Sequence, residues 1–229
     1  MTYIAELDHS NTSPTHNKFF DDNGYLILKG ICDPDILYHP VPEERGQLLY
    51  RGDDVVEHLE DEKQVSGSVA RWKHPQYKLV HKQLRPLLES VIGRKLYETY
   101  YYDRFYFPGQ ELVRHTDRSA SEISISVHVS TNIVQKWPFW IKTPDIYDYD
   151  KGQVKEYGRN VSVNLDAGDG VLYKGCERPH WRDEMPGLLE TELATRCNKE
   201  VPQFYYHQIF FHYVLQDGIR AHYAWDVFR

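Results

Sequence analysis

Two imidazoles and a carboxylate are the side chains of this sequence whose types and spacing best suit chemistry. In Arg114-His115-Thr116-Asp117, His115 and Asp117 stand two residues apart. On a strand, residues i and i+2 project to the same side, so the spacing puts an imidazole beside a carboxylate. His180 lies well downstream, just after the glycine-rich GDGVLYKGCERP, which reads as a hairpin followed by a strand. Imidazole nitrogens and carboxylate oxygens ligate divalent transition metals. Three of them on one face of an ion leave three positions open for exchangeable ligands. An isolated His-x-Asp pair is equally a structural hydrogen bond on a sheet. The strand context and the spacing to His180 favour the metal.

Ligands so far apart in sequence need a sheet to assemble them. From about Leu96 the apolar pattern takes a period of two. It predicts strands over 97–107, 112–117, 122–130, 137–142, 160–166, 170–174 and 208–214, with turns at Pro108-Gly109, Asp150-Lys151-Gly152 and Ala167-Gly168-Asp169-Gly170. Seven short strands at this spacing indicate an antiparallel sandwich or barrel. Upstream, Phe19 and Phe20 open a short helix, Asp22-Asn23-Gly24 turns the chain, and Tyr25-Leu26-Ile27-Leu28 reads as a strand. Residues 36–75 read as loop with a short helix near 54–62. Val80, Leu84, Leu87, Leu88 and Val91 make a helical stripe within 76–95, with Pro86 as a kink or start and Gly93 as the stop. The expected organisation is one domain over 1–229. Residues 1–95 support a core at 96–216, with insertions at 137–160 and 183–205 and an extension at 217–229.

Composition narrows the class. The chain has 229 residues, 27 Lys and Arg against 34 Asp and Glu, and a net charge of −7. That balance does not suit a phosphate backbone, so no nucleic-acid partner is expected. No apolar run approaches the ~20 residues that span a bilayer, and the N-terminus lacks the charged start and apolar stretch of a secretory signal. Cys32, Cys176 and Cys197 form no CxxC pair and no even framework, which points to reduced thiols in the cytoplasm. The 18 Tyr, 9 Phe and 5 Trp suit pleated sheets.

With these residues in view, the chain resembles the Fe(II)- and 2-oxoglutarate-dependent dioxygenases, closest to the prolyl-hydroxylase-like and phytanoyl-hydroxylase-like branches. FFDDNGYLILKGICDPD is similar to the family's N-terminal helix-turn-strand, RFYFPGQELVRHTD to its Tyr…Gly…HxD strand, LDAGDGVLYKGCERPHW to the block ending in its distal histidine, and HQIFFHYV to its last barrel strand. The resemblance implies a mainly β fold with flanking helices around a double-stranded β-helix (jelly-roll, cupin-like) core. It implies Fe(II) on His115, Asp117 and His180, and 2-oxoglutarate and O2 as cosubstrates. The reaction implied is hydroxylation of an unactivated C–H of a small molecule, amino acid or peptidyl residue, with release of succinate and CO2. Asp117 keeps the carboxylate that the family's halogenases lack. The alternative is a cupin-like metal-binding protein or isomerase without 2-oxoglutarate turnover.

The pattern departs at the anchor for the far carboxylate of 2-oxoglutarate. The family places an Arg or Lys on its last core strand, and Tyr206–Tyr213 contains neither. Arg182, two residues past His180 and on its face if a strand continues there without a bulge, is the first candidate. Lys142, where JmjC-type oxygenases place a lysine, and Arg196 follow. Tyr106 matches a family position whose hydroxyl bonds this carboxylate. Arg118 and Arg178 flank the metal ligands as candidate substrate contacts, and Trp181 is a candidate pocket wall. His128 reads as a core histidine. His207 and His212 differ by five and take opposite faces, so His212 can face the pocket.

Overall fold

Alternation from Leu96 onward resolves into two facing antiparallel sheets. The structure is a computed structural model that describes residues 14–37, 56–59, 64–187 and 204–224. Helix α1 (Pro14–Asn23) leads into β1 (Tyr25–Leu28) and α2 (Pro34–Leu37); β2 (Val56–Leu59) and β3 (Ser68–Trp72) precede α3 (Pro75–Ile92). The core follows as β4 (Leu96–Tyr106), β5 (Leu112–His115), β6 (Ile123–Thr131), β7 (Phe139–Lys142), β8 (Ile146–Asp148), β9 (Gln153–Glu156), β10 (Asn160–Val163), β11 (Gly170–Tyr173), β12 (His180–Arg182) and β13 (Tyr206–Leu215). The larger sheet runs β1-β11-β6-β13-β4-β3-β2 and the smaller β10-β7-β12-β5, with β8 and β9 as a separate hairpin. Side chains from both meet between them: the His180 ring lies 4.6 Å from Tyr173, and the Arg182 guanidinium 4.6 Å from Tyr206. This is the expected jelly-roll core. Among the described residues no helix is long and apolar enough to cross a membrane.

The faces of β4 and β13 divide the molecule. Tyr100, Tyr102, Arg104 and Tyr106 alternate with Tyr101, Asp103 and Phe105, and the register pairs Tyr102 with Phe210 and Tyr106 with Tyr206. One set lines the interior. The other faces α3, whose Val80, Leu84, Leu87, Leu88 and Val91 are all buried with Tyr101, Phe211 and Tyr213 in one core cluster. Each such side chain contributes about 1.5–3 kcal/mol of transfer free energy. Pro86 lies inside the helix rather than at its start. It and Lys82, whose carbonyl it leaves without an N–H, both face solvent, where that carbonyl is open to water. Gly93, at φ 69°, ends the helix, and its N–H reaches Glu89 O at 2.9 Å. His81 sits within the apolar stripe. Burial pushes it down to about 3, and the neutral ring bonds the His212 carbonyl through Nε2 at 2.9 Å.

Several expectations need correction. Within 36–75 the chain forms β2 and β3 rather than a helix near 54–62, because β3 pairs with β4 from Val69–Phe105 to Trp72–Tyr102 and tertiary pairing overrides a weak local pattern. Residues 38–55 and 60–63 lie outside the described residues. Phe19 and Phe20 fall in the second half of α1, not at its start. Phe139–Lys142 is a strand of the smaller sheet, bonded to both β10 and β12, so what protrudes within 137–160 is the β8–β9 hairpin. Residues 188–203, with Arg196 and Cys197, lie outside the described residues, as do 1–13 and 225–229. Gly168 has φ +88°, and a Cβ there would lie 2.6 Å from the Cys32 carbonyl, so the turn into β11 requires glycine. Gly170 serves packing instead: a Cβ there would press on Ile31 and Ile125.

Candidate metal centre

His115 and His180 are register partners across β5 and β12, with ring centroids 4.3 Å apart. Asp117 follows β5, and its N–H is held by Gly175 O at 2.9 Å. Its Oδ1 lies 3.6 Å from His115 Nε2 and 3.5 Å from His180 Nε2. One ligand atom from each residue falls within 4.8 Å of the others. An ion bound to all three would draw these atoms closer together. The imidazoles are already oriented for it. His115 Nδ1–H donates to Val113 O at 2.6 Å and His180 Nδ1–H to Arg178 O at 2.9 Å, which turns both Nε2 atoms toward Asp117. Burial alone would raise the Asp117 carboxyl. The positive charge that His180 carries when protonated, and an Nε2–H given by His115, outweigh it and hold the group well below the usual carboxylate range. Asp117 Oδ2 accepts from Ser124 Oγ at 3.0 Å. Gly175 makes room for it, because a Cβ there would lie 2.3 Å from that oxygen.

Arg182 points the same way as His180, although the β12–β5 register shifts between them. It is 1% exposed. Its guanidinium stacks 4.7 Å from Trp137, 4.6 Å from Tyr206 and 5.7 Å from Phe139. Nη1 donates to Trp137 O and Nη2 lies 3.4 Å from the Tyr206 hydroxyl. Nε has no acceptor and no carboxylate pairs with this cation among the described residues. Tyr106, fully buried, meets Trp137 edge-on at 5.0 Å and so joins the same wall.

His212 also lies inside, with Nδ1 2.9 Å from Ser124 Oγ and its ring stacked on Tyr100 at 4.3 Å. Burial pushes it down to about 4. Arg118 stands at the rim, its exposed guanidinium 4.2 Å over the Tyr100 ring.

Three candidates are carried elsewhere. Phe139 and Ile141 take the inner face of β7, so Lys142 faces out and pairs with Asp145 at 2.8 Å. Trp181, between His180 and Arg182, also faces out. It stacks on Trp140 at 6.0 Å under the guanidinium of Arg114. The Arg178 side chain packs over Gly24 beside Glu177, and only its carbonyl serves the site, through His180. His128 is a core histidine: Nδ1–H donates to Leu165 O at 3.1 Å, the ring stacks on Tyr206, and burial pushes it down to about 4.

The sequence reading passed over Ser124, Gly175, Tyr100, Tyr173 and Tyr206. Tyr173 is fully buried with its ring 4.6 Å from His180, and burial, reinforced by Asp117, holds its phenol well above the usual range. Parity along β4 and β11 carried the signal, but the abundance of tyrosine hid it. A cavity of about 400 Å³, lined by His128, Leu165, Trp137 and Tyr206 among others, contains none of the three ligands and borders the Arg182 cage instead.

No family model matches the sequence, and no curated protein matches it. Solved structures do match by shape. A Pseudomonas putida prolyl-4-hydroxylase aligns at TM-score 0.53 with 14% identity over 86% of this chain and 97% of its own. The non-heme alpha ketoglutarate dependent carbocyclase SnoK from nogalamycin biosynthesis aligns at 0.54 with 15% identity, over 94% and 90%. EctD from S. alaskensis aligns at 0.52 with 14% identity, over 93% and 80%. With its antiparallel jelly-roll and with neighbours of this kind over nearly its whole described length, the chain has the fold of the 2-oxoglutarate- and Fe(II)-dependent oxygenases.

Proposed function

We propose that the chain is an Fe(II)- and 2-oxoglutarate-dependent oxygenase that acts on a C–H bond of a small molecule, amino acid or peptidyl residue. The observation that carries this reading is Arg182. A fully buried guanidinium without a carboxylate is expensive to keep, and this one lies two residues from a metal-ligand candidate on the same face of one strand. That spacing is about 6.6–6.8 Å, a span suited to a five-carbon dicarboxylate bound at one end by a metal. The donor set fits as well. Two imidazoles with inward Nε2 atoms and one carboxylate oxygen suit Fe(II) and leave room for exchangeable ligands.

His115, Asp117 and His180 would hold the iron, and Arg182 the far carboxylate, with Tyr206 and Tyr106 beside it. The iron with 2-oxoglutarate and O2 supplies C–H oxidation coupled to loss of CO2 and formation of succinate. The protein's part is orientation and exclusion of water. The Nδ1–carbonyl bonds fix both imidazoles, and the rings of Trp137, Phe139 and Tyr206 shield the Arg182 end from water, where a charge-assisted hydrogen bond is strongest. Arg118 at the rim suits an anionic group on the substrate. The neighbours include an epimerase and a carbocyclase as well as a hydroxylase. Hydroxylation is the reading we favour, as the simplest outcome. Cys32 and Cys176 are free thiols, in keeping with a cytoplasmic setting.

Anaerobic titration with Fe(II) and then 2-oxoglutarate tests the proposal. Wild type is expected to develop a weak visible charge-transfer band that is absent in Asp117→Ala and His180→Ala, and to form succinate when O2 is admitted. Metal uptake with no band and no succinate would reject the oxygenase and leave the cupin-like metal-binding reading.

A further inference from the structure

The two oxygens of Asp117 face different partners. Oδ1 faces both histidine Nε2 atoms, at 3.6 and 3.5 Å, while Oδ2 is turned to the Ser124 hydroxyl at 3.0 Å. An ionised carboxylate only accepts, so Ser124 is the donor. Ser121 O, 3.2 Å from the same hydroxyl, competes for its proton, but the closer and charged acceptor makes the stronger bond. With its proton given to Asp117, Ser124 Oγ can only accept from His212 Nδ1 at 2.9 Å. The order is therefore His212 Nδ1–H to Ser124 Oγ–H to Asp117 Oδ2.

Each member is fixed. Ser124 and His212 are register partners on β6 and β13. His81 of α3 bonds the His212 carbonyl at 2.9 Å, and Tyr100 stacks on the His212 ring. A Cβ on Gly175 would come within 2.3 Å of Asp117 Oδ2 and 2.8 Å of Ser124 Oγ, so backbone walls in the far oxygen.

We propose that Ser124 and His212 are positioning residues that hold Asp117 to one-oxygen ligation and so keep open the site its second oxygen would take. This rests on reading His115, Asp117 and His180 as the metal site. Three ligand atoms leave three positions on a six-coordinate ion, and a two-oxygen carboxylate would leave two. A chelating cosubstrate and O2 together need three. The sequence reading placed His212 against the substrate; here it acts through Ser124 on a ligand.

Co(II) alone is the probe, since its visible absorption moves when an exchangeable ligand is replaced by a carboxylate oxygen. Wild type, Ser124→Ala, Ser124→Thr, His212→Phe and His212→Gln are titrated with Co(II), then with 2-oxoglutarate, with circular dichroism as the folding control. Ser124→Ala is expected to bind Co(II) with a shifted band and to need about 10-fold more 2-oxoglutarate to change it. The iron-loaded form is expected to lose about 10–100-fold in turnover. Ser124→Thr, which keeps the hydroxyl, restores the wild-type spectrum. His212→Phe keeps the ring stack without the donor and shifts the band in the same direction by less, and His212→Gln, with an amide donor, recovers most of it. A folded Ser124→Ala with the wild-type band and 2-oxoglutarate midpoint would overturn the proposal, as would a Ser124→Thr that behaves like Ala. If Ser124→Ala does not fold, His212→Phe decides on the same criteria. Wild type that takes up no Co(II) would instead remove the metal site itself, a different failure from unchanged variants of a metal-binding protein.

Discussion

Two buried groups of arginine, aspartate and histidine lie on either side of the same β4–β13 pair, and they are built to opposite ends. On the outer side Arg71, Asp103 and His207 close on one another. The guanidinium grips the Asp103 carboxylate, and His207 Nε2 meets it at 2.6 Å. Burial would raise the Asp103 carboxyl, but Arg71 and His207 outweigh it and hold the group far below the usual range. On the inner side His115, Asp117, His180 and Arg182 do not close. Two Nε2 atoms converge on one oxygen, and Arg182 Nε has no acceptor among the described residues. The same residue types make structure where their charges cancel and, on our proposal, a site where they are left for a ligand.

The largest effect that tests this contrast is Asp103→Ala. It leaves Arg71 buried without its counter-charge and is expected to destabilise the fold by about 3–5 kcal/mol in urea titration. Arg182→Met is expected to behave in the opposite way. Stability stays within about 1 kcal/mol, because an unpaired buried charge is replaced by a thioether of similar length. The 2-oxoglutarate requirement rises about 10–100-fold, as for a lost hydrogen bond to a charged group worth ~1.5–3 kcal/mol. A loss of stability like that of Asp103→Ala would make Arg182 structural and erase the contrast.

The buried histidines sharpen it through pH. His81 and His128 titrate near 3 and 4 in the fold and near 6.5 unfolded, so the unfolded chain binds more protons between about pH 4 and 6.5. Stability therefore rises with pH across that window. Acidification to pH 5 costs roughly 2 kcal/mol for each. Asp103, with a depressed carboxyl, adds its loss only below about pH 4, as protons reach the unfolded carboxylate first. Urea midpoints of the metal-free protein at pH 7.5, 6 and 5 measure the slope, and His81→Gln should flatten it. The smallest effect belongs to Lys142→Ala. A part-exposed pair with Asp145 is worth no more than about 1 kcal/mol. The 2-oxoglutarate requirement should stay within twofold, and a tenfold rise would return Lys142 to the anchor role.

Legibility followed the range of the interaction. The α3 stripe, the Gly93 stop and most β4–β13 strands could be read because burial on one face writes a period of 3.6 or 2 into the chain. The Arg182 inference used the same parity and points inward in the structure despite the register shift. Lys142 and Trp181 went wrong because both were placed by their neighbourhood to known positions, without asking which side of β7 or β12 each would take. β2 and β3 were missed because β3 pairs with β4 across α3 and β2, among the described residues, only with β3, so no local signal outweighed the charged composition of 36–75.

The sequence by itself determined the residue types of the metal-ligand candidates and the strand and parity that place His115 beside Asp117, since those depend on spacing within one element; the strand under His180 was not among those read. Only the tertiary structure decided what each polar group faces. The pairing of β12 with β5 set His180 against His115, β6 beside β13 joined Ser124 to His212, and Gly175 came to rest against Asp117. Which arginine is neutralised and which is left open depends on contacts between elements distant in the chain, and no local period records those.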